Sequence, residues 1–281
     1  MRDDRLSKAG GSFRPSKALG QHFLAHPGVS HKIISRSGLE GSDMVLEIGP
    51  GQGALTLLLA RSVGHVLAVE KDPRLVRFIE EKLSKSGVKN VTLVNDDILK
   101  FDLREIDLPT SGKINVVGNL PYNISSPLLE KLVQNRNLLR RAVIMLQAEL
   151  AERLTALPGC KAYAALTLWI RYHARTDVLL EVPKEAFWPR PKVNSKVLAL
   201  DFEHPFARRA EDEAQFKRLL KGAFAHRRKT LVNSLSIFFP SWDRGAVLEA
   251  LRKCRIDPRR RAETLDMDEF LNLASDLRLT V

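Results

Sequence analysis

Residues 119–122 read Asn-Leu-Pro-Tyr and follow directly on the apolar run Ile114–Gly118. That tetrapeptide sets an amide, a backbone carbonyl held by proline and an aromatic ring side by side. Asn and Pro are turn formers, so a turn at the end of a buried strand accounts for the spacing. A second feature gives the turn a partner. The run Met44–Gly49 leads into "EIGPGQG" (47–53), with Glu47, Gly49, Gly51 and Gly53 in sequence. Glycines there let backbone come close to a ligand, and the helix that follows begins with free N–H groups. The spacing is Gly-x-Gly-x-Gly, which departs from the Gly-x-Gly-x-x-Gly of dinucleotide sites and disfavours a pyrophosphate. Glu70 ends the next apolar run, 21 residues after Gly49. A carboxylate there can accept both hydroxyls of a ribose. The third run ends in Asp96-Asp97, and either could accept from an adenine amine. Each carboxylate alone reads as a solvated strand end. Together they describe a site for an adenosine-containing cofactor without phosphates, which is S-adenosylmethionine.

Positioning these groups needs a sheet whose strands end on one face. The runs 44–49, 65–70, 91–96, 114–119 and 142–147 are short and rich in β-formers. Helical spacing separates the early ones, over 53–62, 73–84 and 126–134. Alternation of this kind predicts right-handed βαβ units and a mostly parallel sheet covered on both faces. Two more strands are expected over 177–183 and 196–202. Beyond about Phe206 the texture is helical, with breaks at Pro240 and Pro258. The expected division is a basic tail over 1–20, a catalytic α/β domain over 21–205 and a small helical domain over 206–281.

The net charge is +12, and the 281 residues are 44% hydrophobic, enough for a large core. Such an excess of cations favours a polyanionic partner, most often nucleic acid. Cys160 and Cys254 lack metal-ligand spacing and read as reduced thiols of a cytoplasmic protein. No bound metal is expected. No secretion signal or membrane span is visible, and nothing suggests a dimer seam, so a monomer is expected.

Several motifs, in order, resemble one family. "GQHFL", "LEIGPGQGALT", "VGNLPYNISSPLL" and "AFWPRPKVNS" are similar to segments of the ribosomal RNA adenine N6,N6-dimethyltransferases, in bacteria the kasugamycin-resistance (KsgA-type) enzymes. "AFAHRRKTLVNSL" and "IDPRRRAETLDMDEF" resemble the small-subunit branch. The resemblance spans roughly residues 15–277. It implies a Rossmann-like class I methyltransferase with a seven-stranded, mostly parallel sheet, its last strand antiparallel, and a C-terminal all-α domain. It also implies that His22 and Leu24 line the methionine end of S-adenosylmethionine, that Gly49 and Gly51 approach it through their backbone, and that Glu70 holds the ribose. Asp97 would meet the adenine, with Asp96 as the alternative, and Asn119 would touch both cofactor and substrate. Many members have Asn where this chain has His22.

On that resemblance the substrate is N6 of two adjacent adenosines near the 3′ end of small-subunit rRNA, methylated during ribosome biogenesis. An adenine amine is a poor nucleophile because its lone pair is delocalised into the ring. Acceptors on its two protons can pyramidalise it. The Asn119 side-chain oxygen is one, and the Leu120 carbonyl, held by Pro121, is the other. Tyr122 offers a face on which the base can stack, and Phe187 is the candidate for the opposite face. No strong general base is required.

Between Lys217 and Arg261 stand thirteen Lys/Arg against three acids. A one-signed cluster favours a phosphate backbone over a merely solvated face. Arg227, Arg228, Lys229, Arg259, Arg260 and Arg261 are the candidate RNA contacts. Two rival readings are methylation of large-subunit rRNA and a non-catalytic RNA-binding assembly factor. The intact Asn119–Tyr122 segment and Glu70 weigh against the second.

Overall fold

The computed structural model describes residues 15–16, 19–108 and 112–277. The basic tail expected over 1–20 lies almost wholly outside the described residues. Described residues fall into two compact units, one of those up to 151 with 177–203 and one of 152–176 with those from 204 to 277.

The first unit opens with a two-residue strand, β1 (Phe23–Leu24), and helix α1 (Pro27–Arg36). Strands and helices then alternate: β2 (Met44–Ile48), α2 (Thr56–Ser62), β3 (His65–Glu70), α3 (Pro73–Ser86), β4 (Val91–Asn95), β5 (Ile114–Asn119), α4 (Ser125–Gln134) and β6 (Leu139–Gln147). Helix α5 (Ala148–Thr155) crosses from the first unit into the second, where α6 (Ala165–His173) lies. Strands β7 (Arg175–Val182), β8 (Phe187–Trp188) and β9 (Ser195–Asp201) return the chain to the first unit.

Seven strands form one sheet in the order β4-β3-β2-β5-β6-β9-β7. The pairs from β4 to β6 are parallel, and β9 runs antiparallel to β6. Central strands β2, β3 and β5 are buried almost throughout, as a sheet covered on both faces requires, whereas edge strands β4 and β7 are partly exposed. Gly118 permits a close approach in this sheet: a Cβ there would stand 2.9 Å from the Ile48 carbonyl oxygen. Helix α3 shows how local sequence sets an element. Asp72 caps its start by accepting from Arg74 N, Pro73 takes the first turn, and Gly87 ends it at φ 66°. Leu75, Ile79 and Leu83 are its buried stripe, each contributing about 1.5–3 kcal/mol by leaving water.

The second unit continues with α7 (Glu213–Ala225), α8 (Leu231–Phe238), α9 (Arg244–Lys253) and α10 (Met267–Asp276). Asp212, Asp243 and Asp266 cap α7, α9 and α10, and Glu269 completes a capping box with Asp266. Its extent differs from the expected division at 206, because residues 152–176 pack here. The cause lies in Tyr172 of α6. Its ring sits 4.9 Å from that of Phe216, its hydroxyl accepts from Ala210 N, and the Arg209 guanidinium lies 3.9 Å from its centroid. Contacts so distant in sequence leave no local signal.

One further element escaped the sequence pattern. Strands β1 and β8 form a separate antiparallel ribbon, with Phe23 opposite Trp188 and Leu24 opposite Phe187. Two-residue strands are too short to show periodicity.

Candidate active site

The C-terminal ends of β2, β3 and β5 and the loop after β4 surround one cavity, the usual ligand crevice of such sheets. Its wall includes His22, Leu24, Gly49, Gly51, Glu70, Asp96, Asp97, Asn119, Leu120, Pro121 and Tyr122. The structure thus brings together every candidate cofactor residue. The glycine turn after β2 runs through positive φ, 64° at Gly49 and 58° at Gly51. A Cβ on Gly51 would stand 3.1 Å from the Phe23 ring, so a side chain there would press on that ring as well as meet the strain of positive φ.

Glu70 is 6% exposed, and both its oxygens already hold backbone. Oε2 accepts from Gly51 N at 3.1 Å and Oε1 from Asp72 N at 2.9 Å. Burial raises its pKa, and these amides oppose the rise. Glu70 therefore ties the glycine turn to the start of α3. Asp97 Oδ2 pairs with Lys71 Nζ at 2.8 Å, which holds its carboxyl below the usual range. Asp96 Oδ1 accepts from Asp97 N at 2.6 Å.

Asn119 Nδ2 donates to the His22 carbonyl at 2.9 Å. A carbonyl can only accept, so the amide nitrogen is fixed there and the side-chain oxygen is left as the acceptor. Leu120 is 1% exposed and donates its N–H to Met145 O at 3.2 Å. Pro121 O accepts from Ile124 N, so the segment is also the turn that its residue types suggested. The Tyr122 hydroxyl shares a hydrogen bond of 3.0 Å with Ser195 Oγ, and its ring stacks on His22 with centroids 5.5 Å apart. His22 Nδ1 faces Pro189 O at 2.6 Å and must be the donor.

Phe187, the candidate for the opposite stacking face, is placed differently from Tyr122. It is 3% exposed, sits in the apolar core with Leu24, Val182 and Val197, and does not line the cavity. Strand alternation at β8 turns it inward.

Glu47, which precedes the glycine turn, is a site residue that the sequence motifs do not single out. It is 1% exposed, lines the cavity, and its Oε2 has no hydrogen-bond partner among the described residues. The available signal was a charged residue inside an otherwise apolar strand. Burial pushes its carboxyl up to about 8, the Thr56 hydroxyl beside it opposes the rise, and the neighbouring Glu70 adds to it. The native state therefore keeps a proton that the unfolded chain loses, so stability contributed below the ordinary carboxylate pKa is lost as pH climbs towards 8. Glu47→Gln cannot ionise. Thermal melts of the ligand-free protein should show wild type losing about 5–10 °C more than this variant between pH 5 and 8. Parallel melting curves for the two would contradict the assignment.

The basic candidates separate into two groups, all within the second unit. Arg227 Nη2 donates to the carbonyls of Lys161 and Tyr163 and pairs with Glu263 at 3.3 Å. Arg260 forms a two-pronged pair with Glu269 and also donates to Thr264. These two brace the unit internally. Arg259 pairs with Asp257 but is 90% exposed. Arg228, Lys229 and Arg261 are exposed, and no ion pair holds them among the described residues.

This sheet, its glycine turn and the carboxylates at successive strand ends define a class I methyltransferase, which uses S-adenosylmethionine. The chain belongs to the ribosomal RNA adenine dimethylase family, whose model matches residues 12–278. It is 42% identical over 261 residues to a ribosomal RNA small subunit methyltransferase A from Desulforapulum autotrophicum, covering 93% of this chain and 91% of that protein. A protein of the same description from Geobacillus thermodenitrificans is 39% identical, covering 97% of this chain and 93% of its own. Among solved structures, a dimethyladenosine transferase from Plasmodium falciparum superposes with a TM-score of 0.75 at 27% identity, over 88% of this chain and 94% of that one. The 23S rRNA methyltransferase ErmE shares the fold, with a TM-score of 0.70 at 24% identity over 91% and 99%.

The cavity fits the cofactor of this class. The glycine turn brings backbone to the cavity wall, and Glu47 Oε2, which has no hydrogen-bond partner among the described residues, would suit the ammonium group such a cofactor carries. Among the described residues no cluster could hold a metal ion, and no helix is long and apolar enough to cross a membrane.

Proposed function

We propose that this chain dimethylates N6 of two adjacent adenosines near the 3′ end of small-subunit rRNA, in the cytoplasm and as a monomer, during ribosome biogenesis. The observation that carries the chemistry is the orientation of Asn119, whose nitrogen is committed to the His22 carbonyl and whose oxygen is left to accept. That oxygen and the Leu120 carbonyl accept hydrogen bonds from the two amine N–H groups, turning the nitrogen lone pair out of the ring plane, and the methylated, positively charged amine then loses its proton to water. Tyr122 carries the flipped base, with His22 stacked behind it. Bound S-adenosylmethionine supplies an electrophilic methyl on a sulfonium. His22 and Leu24 would line its methionine end, Gly49 and Gly51 would approach it through their backbone, Glu70 would hold its ribose, and Asp97, or Asp96 in its place, would meet its adenine. Catalysis is then mostly alignment. The small subunit is favoured by the motifs around Arg228 and Arg261 and by the descriptions of the full-length relatives. A side-by-side assay with under-methylated small and large subunits tests this choice. Methyl transfer confined to the large subunit would overturn it.

Shape readout of folded RNA is expected to work through Arg228, Lys229 and Arg261. Changing all three to Gln should flatten the slope of log affinity against log salt by about 2–3 units, with cofactor affinity unchanged. An unchanged slope would place the RNA elsewhere. Arg227→Ala and Arg260→Ala should instead lower the melting temperature, because both remove internal bonds.

A further inference from the structure

We infer that Trp188 is a stacking platform at the cavity rim for a nucleotide flanking the target adenosine. This rests on the reading that the chain methylates an adenine within RNA. On β8, Phe187 turns into the core, whereas Trp188 turns outward and is 40% exposed. The indole is backed on one side by Phe23, its partner across the ribbon, with centroids 6.4 Å apart and 24° between the planes. Phe23 itself lines the cavity. The next residue, Pro189, takes the His22 Nδ1 hydrogen bond, and the His22 ring stacks on Tyr122. Tyr122 and Trp188 are thus linked by one ring, one hydrogen bond and one peptide unit.

A singly exposed tryptophan is an ordinary surface feature. The residues that follow it point to a nucleic-acid strand. Arg190 and Lys192 are both exposed; Arg190 shares its charge with Glu185, and no ion pair holds Lys192 among the described residues. An aromatic face with adjoining cations is how proteins hold single strands. A target base that leaves its stack to enter the cavity also uncovers its neighbour. Trp188 offers that neighbour a replacement face, and Lys192 offers its phosphate a counter-charge.

The test is steady-state methyl transfer by the full chain to under-methylated small subunits, with cofactor affinity measured by calorimetry. Trp188→Ala should raise the KM for the subunit about tenfold, with kcat and cofactor affinity within about twofold of wild type. Trp188→Phe keeps a ring face and should recover most of the loss. Lys192→Glu, which disturbs no core contact, should raise the same KM severalfold. Unchanged KM in Trp188→Ala or in Lys192→Glu overturns the inference and leaves the methyltransferase reading standing. A KM loss that Trp188→Phe fails to recover also overturns it. Absence of methyl transfer by the wild-type chain removes the underlying reading, and this inference with it.

Discussion

Asn119→Ala should lower the single-turnover rate of methyl transfer by about 10²–10³-fold while RNA affinity stays close to wild type. Its oxygen matters most when the amine pyramidalises, so the loss belongs in kcat. Removing one preorganised hydrogen-bonding group aimed at a developing charge carries a penalty of that size. Part of the effect will come through His22, whose carbonyl loses the Asn119 Nδ2 bond. Asn119→Asp separates the two contributions. It keeps an acceptor oxygen but cannot donate to His22, so its rate should fall between the others. A near-normal rate for Asn119→Ala at saturating cofactor and RNA would remove the proposed chemistry.

Glu70→Ala should weaken S-adenosylmethionine binding about 10–100-fold, with RNA binding nearly intact. A charge-assisted contact accounts for about 1.5–3 kcal/mol of that loss. The structure adds a second cause. Without Glu70, Gly51 N and Asp72 N both lose their acceptor, and the glycine turn is no longer tied to α3. Glu70→Gln retains an oxygen for one amide and should weaken binding less. Calorimetry giving wild-type affinity for Glu70→Ala would take Glu70 out of the site.

Much of this site was legible because it lies at the ends of strongly patterned strands. Gly49, Gly51, Glu70, Asp96 and Asp97 follow β-branched runs, and the runs and the helices between them recur where the pattern places them. What sequence could not show depends on partners far away in the chain. Phe187 and Trp188 are adjacent aromatics in a Pro-rich segment, and only pairing with Phe23 and Leu24 decides which faces inward. The six basic residues looked alike, yet Arg227 is held by carbonyls 64 and 66 residues away. The second unit gains 152–176 for the same reason, through Tyr172 and its contacts to Ala210 and Phe216. Glu47 was visible as a charge in an apolar strand, but its missing partner is a property of the folded cavity alone.

The most direct measurement is nucleoside mass spectrometry of small subunits that lack adenine methylation, after incubation with this chain and S-adenosylmethionine. Two N6,N6-dimethyladenosines per subunit are expected, mapped to neighbouring positions near the 3′ end, and none with Asn119→Ala over the same interval. A folded wild-type chain that binds the subunit yet leaves its adenosines unmodified would contradict that expectation.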